Sequence, residues 1–414
     1  MKTKRLVFFL IILFQVFIPL RPQDYDNTEI ISVEKTQEIK EKILQLNLDL
    51  LMEGKGRIYI VASHDDLLIL EKEKISYAFE TGNFYPYNQR GVSIQGGING
   101  KYHSYQELEE DMLALEKAYP RLARVFDIGD SLEKRNIYAL KISDNVELDE
   151  EEAEVIFLGC HHAREWISVE IPFLFGKYLA ENYDSNPEIK SLVDQSEIWI
   201  VPLVNPDGLE YSIHFYRYWR KNRRVNRDGS YGIDLNRNYG YMWGYDNLGS
   251  SPNPPSEVYR GQYPFSEPET QVVRDLFLQK NFQAMISYHS YSQIIMYPWG
   301  YTKLSTEKDS LLQEIAAKMA DLIQAVNRTR YDYGQAGSSL YLTNGDITDW
   351  TFAVSGIPSY TIELPPVDQI HGGFFNAEED INSIFQENLP AMLYLIELSI
   401  QSFESKKTFP EGKN

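Results

Sequence analysis

Four strongly apolar runs, each followed by polar residues, constrain the fold of this chain more than any other feature. The runs lie at residues 154–158, 198–204, 284–288 and 360–362, and helical stretches lie at 168–182, 267–279, 306–327 and 377–402. Alternation of strand and helix predicts an α/β fold, with a mixed, largely parallel central sheet and helices on both faces. Ligands bind to such sheets beyond the carboxyl ends of the strands, so we expect the polar residues after the runs to meet at one edge.

The first hundred residues differ from the rest of the chain. Residues 1–22 place basic residues before a short apolar stretch, which is typical of a secretory signal peptide, with an uncleaved membrane anchor as the alternative. Residues 23–80 predict a small α+β module, and 81–100 are typical of an exposed linker open to proteolysis. We therefore expect a secreted, periplasmic or extracellular protein with one large domain at 101–402 and a C-terminal tail at 403–414.

Composition excludes several kinds of site. The single cysteine, Cys160, cannot form an intramolecular disulfide or a multi-cysteine metal cage, so any metal must be held by histidines and carboxylates. Because it follows an apolar strand, we interpret Cys160 as a small buried thiol. The formal net charge of −20 argues against a nucleic-acid partner, and the many carboxylates allow structural calcium.

A histidine and a glutamate follow the first apolar run at a spacing that suits a metal. His162 and Glu165 lie three residues apart, so both side chains can face one point, although a histidine hydrogen-bonded at a helix start is an equally ordinary explanation of the pair alone. His289, after the third run, would complete a His-Glu-His set with one position open, which is the ligand set of catalytic zinc in peptidases.

A carboxylate and a group of cations extend this candidate site. Glu363 ends an apolar strand, where a carboxylate is costly without a function, and it is the candidate general base; a salt bridge to a neighbouring arginine is the alternative. Residues 217–224 contain five cations among eight residues. A solvated basic face would explain them, but guanidinium groups near zinc would bind an oxyanion or a substrate carboxylate, which indicates an anionic chain end as substrate.

Six ordered motifs resemble a known family. They lie at 159–168, 205–208, 219–223, 234–238, 289–292 and 361–364. Together they resemble the zinc metallocarboxypeptidases of the M14 family, in the secreted carboxypeptidase A/B and carboxypeptidase T branch, over about residues 101 to 400. The resemblance implies a zinc-dependent peptidase that hydrolyses the C-terminal peptide bond of peptides and proteins.

The resemblance also implies a role for individual residues. The zinc ligands are His162, Glu165 and His289, and Glu363 is the general base. Arg223 polarises the scissile carbonyl, with Arg224 beside it as the alternative. The residues implied to contact substrate are Asn236 and Arg237 as the carboxylate clamp, Arg164 and Arg220 as secondary contacts, Tyr291 in a subsite, and Tyr341 as the mobile tyrosine over the chain end.

Side-chain preference is expected to be broad. Family members with an apolar residue at the position of Thr348 favour hydrophobic C-terminal residues, and those with Asp there favour Lys and Arg. Thr348 is neither apolar nor acidic. Asp346 lies two residues earlier and is expected to line the same side-chain pocket. We therefore expect both apolar and basic C-terminal residues to be accepted.

The N-terminal module resembles the inhibitory propeptide of such zymogens. The expected partners of the large domain are the N-terminal module, an activating protease that cuts the linker before Lys101, and peptide or protein C-termini. Contact with a membrane is expected only if the N-terminal segment stays uncleaved. We expect the protein to be a monomer. Two other functions remain as alternatives. One is an M14 relative that hydrolyses cell-wall peptides or deacylates amides, and the other is an inactive surface-binding protein, which would normally have lost a ligand or the base.

Overall fold

The N-terminal part of the chain forms a small sheet with two helices. The computed structural model describes residues 29–46, 48–53, 56–62, 64–79, 99–368 and 372–408. The signal-like residues 1–22, nearly all of the linker and the last six residues therefore lie outside the described residues. The small sheet has the order β2-β3-β1-β4, and its elements are β1 (Glu29–Glu34), α1 (Gln37–Gln45), β2 (Asp49–Glu53), β3 (Arg57–Ala62), α2 (His64–Lys72) and β4 (Tyr77–Phe79).

The rest of the chain is built on an eight-stranded sheet with the order β11-β10-β12-β9-β7-β8-β6-β5. Its strands are β5 (Ala123–Asp130), β6 (Asn136–Ile142), β7 (Ala153–Leu158), β8 (Ser196–Val201), β9 (Phe282–Ser290), β10 (Ile294–Tyr297), β11 (Asp332–Gln335) and β12 (Ser359–Leu364). The four central strands β12, β9, β7 and β8 are mutually parallel, whereas β5, β6 and β8 pair antiparallel. The predicted mixed, largely parallel sheet is thereby confirmed.

Helices cover both faces of this sheet. They are α3 (Tyr105–Ala118), α4 (Ile167–Asn182), α5 (Pro187–Val193), α6 (Pro206–His214), α7 (Pro268–Gln279), α8 (Asp309–Asn327), α9 (Ala336–Ser339), α10 (Ile347–Ser355) and α11 (Ile381–Thr408). In β7, Val155 and Phe157 pack in the core with α4, α8 and α11, while Ile156 and Leu158 pack in the core with α7 and α10. Successive residues of a strand point to opposite faces, so a strand buried on both sides is apolar over most of its length.

Two element boundaries differ from the sequence expectation. The strand expected at 198–204 ends at Val201, because the next residue, Pro202, has no N–H to donate to the sheet. The last helix continues past residue 402 to Thr408, where Phe403 remains buried and Lys406 donates to Gln283. The segment assigned to a tail is therefore helical up to Thr408.

The central strands bring the polar residues to one edge. His162 and Glu165 follow β7, and His289 lies in β9 beside it. In the register of β9 and β12, His289 is paired with Glu363. Parallel neighbours end at the same edge of the sheet, which explains why residues far apart in sequence meet there.

No helix among the described residues is long and apolar enough to cross a membrane.

Candidate metal centre and substrate cleft

Three buried side chains converge at the carboxyl edge of the sheet. His162 Nδ1 lies 2.8 Å from Glu165 Oε1, and His289 Nδ1 lies 3.0 Å from Glu165 Oε2. The two Nδ1 atoms are 3.1 Å apart. A tight turn after β7, in which Glu165 N donates to His162 O, places both members of the first pair on one side.

The far side of the His162 ring faces a buried carboxylate. His162 Nε2 lies 3.2 Å from Asp234 Oδ1, in a contact that is too poorly aligned for a hydrogen bond. Asp234 Oδ2 accepts from Arg220 Nε and Nη2 at 3.1 and 2.8 Å. Burial would raise the pKa of Asp234, but the charge of Arg220 outweighs it and holds that pKa well below the ordinary value. The negative charge of Asp234 therefore orients the His162 ring, with Nε2 toward Asp234 and Nδ1 toward Glu165.

A chain of hydrogen bonds orients the second histidine. Ser287 Oγ lies 3.1 Å from His289 Nε2 and 3.3 Å from His161 Nδ1, and His161 Nε2 lies 2.9 Å from the hydroxyl of Tyr239. With a cation on Nδ1 of His289, the Nε2–H must donate to Ser287, whose hydroxyl then donates to His161. Like Asp234, these residues lie behind a histidine that faces Glu165.

This donor set fits a divalent metal. Two imidazole nitrogens that face each other at 3.1 Å cannot both keep a proton there, and Glu165 brings a carboxylate to the same point. Burial raises the pKa of Glu165, but the two histidines lower it far more, so the carboxylate is ionised. Two imidazoles, oriented by Asp234 and Ser287, and one carboxylate suit zinc with a position left for water or substrate.

Glu363 lies beside this centre without a partner of its own. Among the described residues the Glu363 side chain makes no hydrogen bond or ion pair, so the salt bridge considered as an alternative is not found. Burial raises the pKa of Glu363 well above its ordinary value, the charge of Glu165 adds to this, and Arg220, Arg237 and Arg164 oppose it.

Arg237 is buried with spare donors. Its Nη1 donates to Asn236 O at 2.7 Å, its buried Nε has no hydrogen-bond partner, and it pairs with no carboxylate of the described chain. The ring of Tyr341 lies 6.0 Å from its guanidinium carbon. Asn236 Oδ1 accepts from Ile347 N, which leaves its amide NH₂ as a donor beside Arg237. This arrangement suits an incoming carboxylate.

The two adjacent arginines of the basic segment have different surroundings. Arg224 Nε donates to the buried carboxylate of Glu267 at 2.9 Å. Arg223 instead places its guanidinium carbon 3.5 Å from the ring centre of Tyr211 and 4.6 Å from that of Trp219.

A further aromatic group lies against Arg164, the residue before Glu165. Arg164 lies 4.3 Å over the ring of Phe374, and the ring of Tyr291 meets Phe374 edge-on at 4.9 Å. Phe374 had no recognisable signal in the sequence, since it lies in a loop with no periodic pattern. Asp234 belongs to the motif at 234–238, but its contact with His162 could not be inferred from the spacing of the two residues in the sequence.

Asp346 has a structural duty in addition to its expected place near the pocket. It is the N-cap of α10, with Oδ1 accepting from Asp349 N and Oδ2 from the Thr343 hydroxyl. A Cβ atom added at Gly300 would lie 2.8 Å from Asp346 Oδ2, so the Asp346 carboxylate lies against the backbone at Gly300. Thr348 and Thr361 share a hydrogen bond of 2.7 Å.

Cys160 is buried, as expected. Burial raises the pKa of its thiol well above the ordinary value, and Sγ donates to His162 O.

Comparison with known proteins agrees with this geometry. Residues 108–391 match the family model described as zinc carboxypeptidase. A zinc carboxypeptidase of Saccharothrix mutabilis subsp. capreolus is 37% identical over 69% of this chain and 67% of its own length. Metallocarboxypeptidase A of Trichophyton rubrum is 30% identical over 92% of this chain and 95% of its own length. The crystal structure of thrombin activatable fibrinolysis inhibitor superposes with a TM-score of 0.75 at 26% identity, over 90% of this chain and 99% of that one.

The family model covers well over half of the chain, and a relative that is 30% identical matches 92% of it. The chain therefore belongs to the zinc carboxypeptidase family, peptidase M14, and is a zinc metallocarboxypeptidase, a hydrolase that acts on peptide C-termini.

Proposed function

We propose that His162, Glu165 and His289 hold the catalytic zinc and that Glu363 is the general base. The convergence of the two Nδ1 atoms and the Glu165 carboxylate carries this proposal. When bound, zinc supplies a Lewis acid for the scissile carbonyl and acidifies water. Glu363 takes the proton of the attacking water and returns it to the leaving amine. Its lack of a partner among the described residues supports that role.

Binding of the substrate's chain end is assigned to Arg237 and Asn236. A buried guanidinium without a counterion is costly, so a free terminal carboxylate is favoured over an internal bond. Tyr341, near Arg237, closes over the end. We propose Arg220 as the donor to the carbonyl oxygen in place of the expected Arg223, because the charge of Arg220 acts on Glu363 and Glu165, whereas Arg223 packs on Tyr211 and Trp219 and Arg224 is bound to Glu267.

The N-terminal module is proposed to be an inhibitory propeptide. Tyr59 of β3 packs in a cluster with Tyr218, Phe374 and Tyr291, beside the metal centre. A module seated there would obstruct the cleft until a protease cuts the segment at 81–100. The basic and apolar residues at 1–22 support export of the chain to a secreted or periplasmic location.

Removal of Glu363 tests the assignment of the base. After limited trypsin treatment, which can cut at Arg90 in the linker, we expect the protein to shorten free peptides one residue at a time and to spare amidated ones. Glu363→Gln should lower kcat by about 10²- to 10⁴-fold, the usual contribution of a general base. A chelator should abolish activity, and the exposed Glu379→Gln should leave it unchanged.

Mass spectrometry of the C-terminal ladders is the measurement. Cleavage confined to internal bonds would contradict the exopeptidase assignment, and a Glu363→Gln variant within threefold of wild type would contradict the assignment of the base.

Broad side-chain preference is proposed from the polar Thr348–Thr361 pair and the acidic wall at Asp346. Asp346→Asn keeps a good helix N-cap but removes the charge. We expect release of C-terminal Lys and Arg to fall about 10-fold relative to Leu and Phe, the size of one charge-assisted contact. Parallel rates on peptides that differ only in the last residue measure this, and an unchanged ratio would show that Asp346 acts only as a cap.

Structural calcium is proposed at the carboxylates of Asp144, Glu150 and Glu152. One oxygen of each lies within 4.8 Å of the others, and each residue has a buried oxygen without a hydrogen-bond partner. Burial and the charges of Glu150 and Asp144 raise the pKa of Glu152 to about 7. The second acidic group, Asp149, Glu154 and Glu197, already surrounds the ammonium of Lys280, so we assign no ion to it.

Calcium should therefore stabilise the protein. A raised carboxyl pKa means that the folded state binds more protons than the unfolded state between about pH 4.5 and 7, so stability without calcium falls as pH rises through that window. Millimolar CaCl₂ at pH 7.5 should raise the Tm, by about 2–4 °C per kcal/mol of binding energy. Glu152→Gln should lose the shift and the neighbouring exposed Glu151→Gln should keep it. An equal response in all three proteins would exclude the site.

A further inference from the structure

Three carboxyl groups lie buried near the start of α7. Asp207 belongs to the first turn of α6, Glu267 is the N-cap of α7 and Glu269 lies in the first turn of α7; each is no more than 1% exposed. Glu267 and Glu269 both accept from Asn222 Nδ2, at 2.7 and 3.3 Å. Two of the three carboxyl groups therefore share one donor nitrogen.

Two of the three carboxyl groups also have a guanidinium partner. Arg135 Nη1 donates to Asp207 Oδ1 at 2.7 Å, and it binds the exposed Glu133 as well. Arg224 Nε donates to Glu267 Oε2 at 2.9 Å. A buried carboxylate is tolerated when a cation compensates it, so Asp207 and Glu267 are both ionised.

Glu269 has only neutral hydrogen-bond donors among the described residues. Its Oε1 accepts from Leu132 N at 2.9 Å, and its Oε2 faces the amide of Asn222. Burial, together with the charges of Glu267 and Asp207, raises the pKa of Glu269 to about 8, although hydrogen bonds from Leu132 N and Glu269 N oppose the shift. A buried carboxyl group without a cation, beside a carboxylate, is stable in its neutral form, so Glu269 keeps a proton at neutral pH.

Asn222 connects this pair of carboxyl groups to the back of the metal centre. Its Oδ1 accepts from Ile233 N at 2.8 Å, and its N donates to Ile233 O at 3.0 Å. The next residue, Asp234, is the carboxylate that faces His162. Ionisation of Glu269 would place two carboxylates on one amide, and their repulsion would act on the residue that holds Ile233 and Asp234 in place.

We propose that Glu269 is a positioning residue whose protonated carboxyl group, through Asn222, holds Asp234 behind His162, and that loss of this proton weakens catalysis on the alkaline side of neutrality. The inference goes beyond the proposed function and takes from it only the assignment of His162 to the metal. Between about pH 4.5 and 8 the folded chain keeps a proton that the unfolded chain has lost, so the contribution of Glu269 to stability falls as the pH rises through that window.

Infrared spectroscopy detects the proton on Glu269 directly. At pH 7 the full chain should show the C=O stretch of protonated carboxylic acid, and Glu269→Gln should lack one component of that band. The missing component, followed as the difference between wild type and variant, should disappear with a midpoint near pH 8. Asp275→Asn, which removes an exposed carboxylate of α7, should keep the wild-type band.

Catalysis tests the connection to the metal centre. After activation, kcat/KM of Glu269→Gln should lie within twofold of the wild type at pH 7. At pH 9 it should exceed the wild type about 10-fold, because only about a tenth of a carboxyl group with this pKa stays protonated there. Asp275→Asn should follow the wild type at both pH values. A glutamate with a merely structural role would change the rate by the same factor at every pH.

A second variant keeps the proposal testable if Glu269→Gln folds poorly. Glu267→Gln removes the neighbouring charge and frees Arg224 to pair with Glu269, so the protonated component should be lost at pH 7. A band that is unchanged in both variants, or a ratio of Glu269→Gln to wild-type kcat/KM that does not rise with pH, would overturn the proposal. A wild type that hydrolyses no peptide at any pH would instead contradict the proposed function, and the infrared band would still decide whether Glu269 is protonated.

Discussion

The buried carboxylate of Asp234 is the contact on which the rest of the site depends. Its Oδ2 takes both hydrogen bonds from Arg220, while Oδ1 faces His162 and also accepts from Asn236 N at 3.0 Å. One side chain thus connects the proposed zinc ligand to the start of the short helical turn Leu235–Arg237 that carries the clamp residues. A buried charge of this kind is tolerated because every oxygen is compensated, and removal of a partner would leave it exposed to the full desolvation cost.

Cations of the basic segment are distributed among distinct partners. Arg220 binds Asp234, Arg224 binds Glu267, Arg223 packs on Tyr211, and Arg217 bridges two backbone carbonyls. Arg237 differs from Arg220 and Arg224 because its guanidinium reaches no described carboxylate, and its buried Nε has no hydrogen-bond partner. In a chain with a net charge of −20, this cluster of cations is a region that attracts an anionic ligand. Most arginines of the basic segment therefore stabilise the structure of the cleft, and Arg237 is left to bind an anionic ligand.

Much of the fold was predictable because both faces of the central strands are buried. β7 is apolar from Val155 to Leu158, the residues that pack against the two helix layers, which is a strong local signal. The edge strand β11 and its neighbour β10 are only four residues long and depend on pairing with adjacent strands, which no local pattern records. The extension of α11 to Thr408 likewise depends on contacts of its far end with Gln283 and Glu151.

The candidate site also contains residues that were predictable from the sequence and residues that were not. His162, Glu165, His289 and Glu363 were identifiable because few residue types bind zinc or move protons, and each stands at a strand end. The role of Asp346 as a helix cap was not identifiable from the sequence, because it depends on hydrogen bonds from the Thr343 hydroxyl and from Asp349 N. Ser287 and Asp234 were missed because each acts through a histidine, and the partners of Asp234 lie up to seventy-two residues away.

Zinc affinity tests this account most directly. Zinc is titrated into the metal-free full chain in competition with a chelator, for the wild type, Asp234→Asn and the equally buried Asp207→Asn, whose partners Ser131 and Arg135 lie elsewhere. The account predicts one tightly bound zinc per chain, a dissociation constant about 10- to 100-fold weaker in Asp234→Asn, as is usual for loss of an outer partner, and no change in Asp207→Asn. Unchanged affinity in Asp234→Asn, or tight binding that survives His289→Ala, would contradict it.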